Sequence, residues 1–154
     1  MVELTSSPEK SLQLEHLEAI EMIIKAILSR YAKGEHSFQK VNLREADLHN
    51  AHLQGVDFNQ ADLRQARLGK ANFRQASFRE ADLSEAILWG TDLSEADLYR
   101  AILREVDLSG AKLSYANLEQ ANLSKAILGG ANLVHASLLR ANLFEADLPI
   151  SLQN

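Results

Sequence analysis

Asp47, His49 and His52 fall within six positions of one another, and one carboxylate with two imidazoles is a partial donor set for zinc. A structural zinc site needs four close ligands, and His16, His36 and His135 lie elsewhere in the chain, so the expectation is no metal. Asp62 and Asp82 are twenty residues apart and could form a carboxylate pair if the chain coiled with that period. Arg44, Arg64, Lys70 and Arg74 form a small basic group that could meet phosphate, but so few charges neutralise little of a nucleic acid backbone. Exposed aromatic residues are not interleaved with them, so a solvated face is the better reading and no direct nucleic acid contact is expected. The chain has no Cys, which excludes thiol chemistry and disulfides. It also lacks G-x-S-x-G, H-E-x-x-H and a Gly-rich phosphate loop before a helix. The sequence therefore predicts no enzyme and no cofactor.

The residues that could do chemistry sit inside a strict repeat that accounts for most of them. From Phe38 to Leu148 a Leu or Phe stands at every fifth position, 23 times without insertion. Ala precedes it by two positions in 18 of the 23 units, and the residue between is Asp or Asn in 14, giving A-D/N-L-x-x. A period of five fits neither a helix nor an extended strand. Within each unit, however, apolar, polar, apolar alternation over three residues reads as a very short strand edge, and the last two residues read as a bend. Such edges can pair only with the next layer of the same chain, which makes a solenoid with Ala and Leu inside. Asp and Asn suit the second position because their side chains bond backbone amides at the bends, so structure explains these residues better than catalysis does.

Over residues 36–148 the chain resembles the pentapeptide-repeat family. That resemblance implies a right-handed quadrilateral β-helix, an all-β solenoid with four units, hence 20 residues, per coil. The sequence carries independent signs of the longer period. Gly90, Gly110 and Gly130 are spaced by 20 and should stack in one corner, where glycine supplies positive φ. Phe38, Phe58 and Phe78 share that spacing and should form an internal ladder. Nearly six coils at strand spacing make a rod roughly 27 Å long. Each inward Leu contributes about 1.5–3 kcal/mol, and the small Ala beside it avoids overpacking a narrow interior.

Both ends of a β-helix present unpaired edges. Residues 1–35 read as an N-terminal helical cap, 36–150 as the β-helix and 151–154 as a tail. The helix is expected over 8–33, with Ser7 as N-cap, Pro8 in the first turn and Gly34 past the end. Leu14, Leu17, Ile20, Ile24, Ile27, Leu28 and Tyr31 keep helical spacing, and Met22 and Ile23 widen the stripe. Twenty-six residues would span about 39 Å, more than one coil's width, so a bend or an overhang is expected. After Leu148 only Pro149 and a short apolar stretch follow. Val134, Leu139, Phe144 and Ile150 occupy positions that are mostly polar in earlier coils, so they either fold over the open end with Leu152 or form an end-to-end homodimer.

One side of the coil is distinctive. Ile87, Trp89 and Ile127 converge there with Gly69, Gly90, Gly110, Gly129 and Gly130, and Trp89 is the only Trp. Glycines beside an aromatic anchor make a shallow groove of the kind protein partners use. The bland alternative is that the glycines serve turns and Trp89 packs over them.

Charge separates the two functional readings. The formal net charge is −5, with a balance of +2 over residues 37–78 and −5 over 79–154. The leading expectation is a non-enzymatic protein-interaction scaffold with an unidentified protein partner. The alternative comes from the family resemblance: some members mimic duplex DNA and bind DNA gyrase. Those members are strongly acidic, whereas here the repeat nets only −3 from 15 acidic and 12 basic residues. Many members come from cyanobacteria, so the resemblance implies such an origin. The N-terminus lacks a basic region followed by an apolar run, and the apolar stretch 19–28 is short and carries Glu21 and Lys25. No signal peptide, no membrane span and a cytosolic location are therefore expected.

Overall fold

In the computed structural model, which describes residues 7–153, the chain forms one helix, α1 (Pro8–Ala32), followed by a four-sided coil and a short 3-10 turn at Ile150–Leu152. The coil is defined by parallel bridges between residues 20 apart, running from Ser37 with Asp57 to Ile127 with Asp147. Each side contributes one bridging residue, always the second of the repeat, so no side is long enough to form an extended strand. Backbone bonds tie the layers on every side: the Leu43 N–H donates to the Asp62 carbonyl at 2.7 Å, and the Asp62 N–H donates to the Val41 carbonyl at 3.0 Å. All inter-coil pairing is thus non-local in sequence, at a fixed separation of about one turn.

The core is the repeat seen from within. Every central Leu or Phe from Leu53 to Leu128 is at most 1% exposed, and Ala fills the gap beside it. The expected ladder forms, with ring centroids 6.2 Å apart for Phe38 and Phe58 and 5.9 Å for Phe58 and Phe78. Phe73, on the adjacent side, meets Phe78 edge-on at 5.3 Å, so four rings share one internal cluster near the start of the rod. Edge-on contact is a favoured geometry for the ring quadrupoles. Where Thr91 replaces the inward Ala, its buried hydroxyl donates to the Leu68 carbonyl at 2.9 Å, which satisfies the one buried polar side chain among the described residues.

The corners are built by side chain and by backbone together. Thirteen of the fourteen Asp and Asn residues at the second position accept a bond from the backbone N–H two residues on, as Asp107 does from Ser109 at 3.0 Å. The exception is Asp147, whose donor position is Pro149 and has no N–H. The next residue turns through the left-handed region. Gly90, Gly110 and Gly130 do so, stacked in one column, but so do eighteen non-glycine residues, among them Lys70, Gln75 and Glu95. Glycine therefore relieves strain at these corners without being what makes them.

Helix α1 starts and stops as the sequence predicts. The Ser7 hydroxyl accepts from the Lys10 N–H at 3.3 Å, and Gly34 leaves the helix at φ 96°. It is one uninterrupted segment of 25 residues, about 37 Å at helical rise. The expected apolar face is only half used. Ile20 and Ile27 are buried and Ile23, Ile24 and Tyr31 partly so, whereas Leu14, Leu17 and Leu28 are exposed. Apolar burial against the coil begins at Ile20, and the preceding part meets the coil only at an exposed polar contact, where the His16 ring lies 3.5 Å from the Glu45 carboxylate. Tyr31 anchors the packed half by donating its hydroxyl to the Gln54 carbonyl at 2.6 Å.

Candidate functional site

The outward chemistry of the rod is mostly consumed by neighbours. Asp62 is gripped by Arg64 through two bonds of 2.9 and 2.7 Å, and Asp82 accepts from the Ser84 hydroxyl at 2.6 Å. The two Asp residues do stack in adjacent coils, but each carboxylate is engaged by its own turn. The Arg64 bonds hold the Asp62 carboxyl below its ordinary value against the opposing pull of partial burial. Asp47 pairs with His49. Partial burial works to raise the Asp47 carboxyl, but its bonds to the His49 ring and backbone, with the charges of His49 and Arg67, outweigh this and lower it. Among the described residues no group of three or more His, Asp or Glu is placed to share a metal ion.

The side that carries Trp89 is different. Its bridging column runs Asp47, Arg67, Ile87, Asp107, Ile127 and Asp147. Ile87 and Trp89 lie together there, 38% and 44% exposed. The indole does not extend over Gly90, Gly110 and Gly130. It lies back over Gly69, one coil earlier, where a Cβ would stand 2.8 Å from the indole Nε1. Gly69 is buried and has no positive φ, so this glycine is required by the close approach of the ring and not by a turn. The Lys70 ammonium sits 4.9 Å from the ring centroid, a cation–π contact. The result is a shallow pocket of ≈ 270 Å³ lined by His49, Arg67, Gly69, Lys70, Ile87 and Trp89.

Of the eight residues that the sequence places on this side, the structure brings Gly69, Ile87 and Trp89 together in this pocket. Gly90 sits behind it, packed near the Lys70 stem, while Gly110 and Gly130 stack on each other farther along the same corner. Ile127 is exposed two coils away from Ile87. Arg67 and Lys70 were not singled out for this groove; the signal was their spacing of 20 from Ile87 and Gly90, which puts them directly beneath. Ile102, a third Ile at a second repeat position, is 38% exposed on another side.

At the far end the core opens. Leu133, Leu138, Leu143 and Leu148 are only partly buried, and the inter-coil ladder ends where Leu128 donates to Asp147. Val134, Leu139, Phe144 and Ile150 are 56%, 61%, 64% and 82% exposed. Leu152 lies near Leu133 and Val134 across a small cleft, so the 3-10 turn covers part of this end but leaves Phe144 and Ile150 uncovered.

The family model for Pentapeptide repeats (8 copies) matches residues 42–79, 76–114, 101–138 and 111–148. The chain belongs to the pentapeptide-repeat family. Its fold is accordingly the right-handed quadrilateral β-helix, preceded by α1. The chain is similar to HetL, a pentapeptide repeat protein involved in heterocyst differentiation regulation from the cyanobacterium Nostoc sp. strain PCC 7120. The identity is 64%, the TM-score 0.77, and the match covers 78% of this chain and 51% of HetL, so the chain spans about half of that relative's length. It is also similar to Rfr23 from the cyanobacterium Cyanothece 51142, at 28% identity and TM-score 0.72, over 77% of this chain and 94% of the other. No curated protein matches the chain in sequence. Pentapeptide-repeat proteins are in general a non-enzymatic structural and interaction fold. Among the described residues no helix is long and apolar enough to cross a membrane.

Proposed function

We propose that this chain is a non-enzymatic, cytosolic interaction scaffold that presents the Trp89 side of its rod to a protein partner. The observation that carries this is the placement of two exposed apolar side chains, Ile87 and Trp89, on a rigid surface with Gly69 holding the ring in place. A filled interior needs no ligand for stability, and a large aromatic held at low entropy cost is the typical centre of a binding surface. The likeness to HetL supports extending this to a regulatory role, since HetL is described as involved in regulation of a differentiation process. The exposed cluster of Val134, Leu139, Phe144 and Ile150 supports a second contact, an end-to-end homodimer that would cover the open last coil.

Mimicry of DNA toward gyrase is the weaker reading. Arg64, Arg74, Arg79 and Arg104 each neutralise a carboxylate within 2.7–3.1 Å, which interrupts any continuous acidic surface. The test of the scaffold is affinity capture from native cell extract with the wild-type chain and with Trp89→Ala. A partner retained by the first and lost from the second is expected. A capture profile unchanged by Trp89→Ala contradicts the use of this side.

A further inference from the structure

The pocket beneath Trp89 carries a charge sign opposite to that of the chain. Arg67 and Lys70 are exposed, stand three residues apart in one repeat unit, and neither is held in an ion pair by a described carboxylate. Four other arginines of the repeat, Arg64, Arg74, Arg79 and Arg104, are so held. The carboxylate nearest the pocket, Asp47, is engaged by His49 and faces Arg67 only at longer range. The next acidic residue of the column, Asp107, lies on the far side of Ile87 and spends one oxygen on the Ser109 N–H. The pocket thus presents two cations against one compensated anion, on a chain whose net charge is −5. Lys70 is held over the indole face, and its ammonium keeps its remaining donors for an incoming group.

We infer that this pocket takes an acidic peptide segment of the partner, with an apolar side chain packed against Ile87 and the exposed part of the indole and flanking carboxylates paired with Arg67 and Lys70. The inference rests on the scaffold reading and names the chemistry of its partner. Charge complementarity selects the acidic segment: Arg67 and Lys70 stand outside the ion pairs and flank an exposed apolar wall, and it is this combination of cation and apolar surface that fixes the site. The apolar wall selects a peptide over a bare phosphate group, because Ile87 and the indole face gain only from an apolar or aromatic partner. Two cations and one Trp also neutralise and stack too little of a nucleic acid to hold one. Gly69 is the positioning residue, since any side chain there displaces the ring that forms the pocket wall.

Trp89 is the only Trp, so its emission reports on the pocket without a label. The experiment titrates the full chain with the peptide Glu-Glu-Asp-Leu-Asp-Glu-Glu, with its counterpart Lys-Lys-Lys-Leu-Lys-Lys-Lys, with an all-Glu peptide and with a short DNA duplex. The expected result is a saturable emission shift from the acidic Leu peptide that weakens roughly tenfold with Arg67→Glu or Lys70→Glu. Both substitutions are on exposed side chains, so the thermal melt should not move. Gly69→Ala should weaken binding while leaving the melt within a few degrees. An all-Glu peptide should bind more weakly because it lacks the anchor. The inference is overturned if the acidic peptide gives no saturable shift, if the shift survives both charge reversals, or if the basic peptide or the duplex binds as well or better. Capture that depends on Trp89 with a silent acidic peptide overturns the acidic partner alone and leaves the scaffold standing. Peptide binding with capture that ignores Trp89 does the reverse.

Discussion

Leu103 and Asp107 occupy the inward and the outward positions of neighbouring repeat units, and they respond to different physics. Leu103 is fully buried, so Leu103→Asp places an unpaired carboxylate between coils at a cost of several kcal/mol and should unfold the rod. Asp107 makes one turn bond, to the Ser109 N–H, so Asp107→Ala should cost about 1 kcal/mol. Asp97 is a poorer control, because it also holds Arg79 and accepts from Asn117. Thermal melts with equal, small losses for Leu103→Asp and Asp107→Ala would refute the inward and outward assignment. Titration gives a second check. Arg64 holds the Asp62 carboxyl below its ordinary value, so this pair stabilises the fold above the unfolded carboxyl value of about 3.9 and ceases to do so as pH falls through the lower folded value. The melting difference between the wild type and Arg64→Met should therefore be present at neutral pH and vanish in strong acid. A difference that persists unchanged in strong acid contradicts the assigned cause. At this scale the sequence was highly legible: the role of Asp and Asn followed from their place in a turn, and thirteen bonds of one kind bear it out. The direction of the Trp89 ring was not legible. It depends on whether the indole leans toward Gly69, one coil earlier, or toward Ser109, one coil later, and the spacing of 20 holds for both.

The coil and the helix differ in how much each could be read in advance. The coil's register was written twice, in the five-residue unit and in the 20-residue spacing of Phe38, Phe58 and Phe78, and the bridges follow it from end to end. The boundaries of α1 were readable because Ser7, Pro8 and Gly34 are local signals. Its packing was not, because periodicity names an apolar face without saying how much surface exists to receive it. Leu14, Leu17 and Leu28 are on the expected face and are nonetheless exposed. The contact that does hold the helix gives a prediction at this scale. Tyr31→Phe removes the bond to the Gln54 carbonyl and should lower stability by about 1 kcal/mol. Removing residues 1–34 should do far more, exposing Phe38 and the first coil edge to aggregation. A truncated chain that stays monomeric with an unchanged melt would show that α1 does not act as a cap.

Taken as a whole molecule, the chain is a filled rod of repeated layers, with an aromatic cluster inside its first coils and a core that opens at its last. The repeat accounts for most of the interior, so function falls to the places where the outer pattern breaks: the Trp89 side and the last coil. If the exposed residues of that coil meet those of a second copy, Leu139→Arg with Phe144→Asp should give a monomer by light scattering with the fold intact, and a wild type already monomeric at high micromolar concentration sinks the dimer. Gyrase supercoiling should be unaffected, because basic side chains interrupt the acidic ones along the rod; clear inhibition or protection would reverse the ranking of the two functional readings. The most direct test of the central claim, that one side of the rod carries the interaction, is photo-crosslinking in the native cell from a benzoylphenylalanine placed at Ile87 or, on another side of the coil, at Asn117. A discrete protein adduct is expected from position 87 and none from position 117. Adducts of equal yield from both, or from position 117 alone, would contradict it.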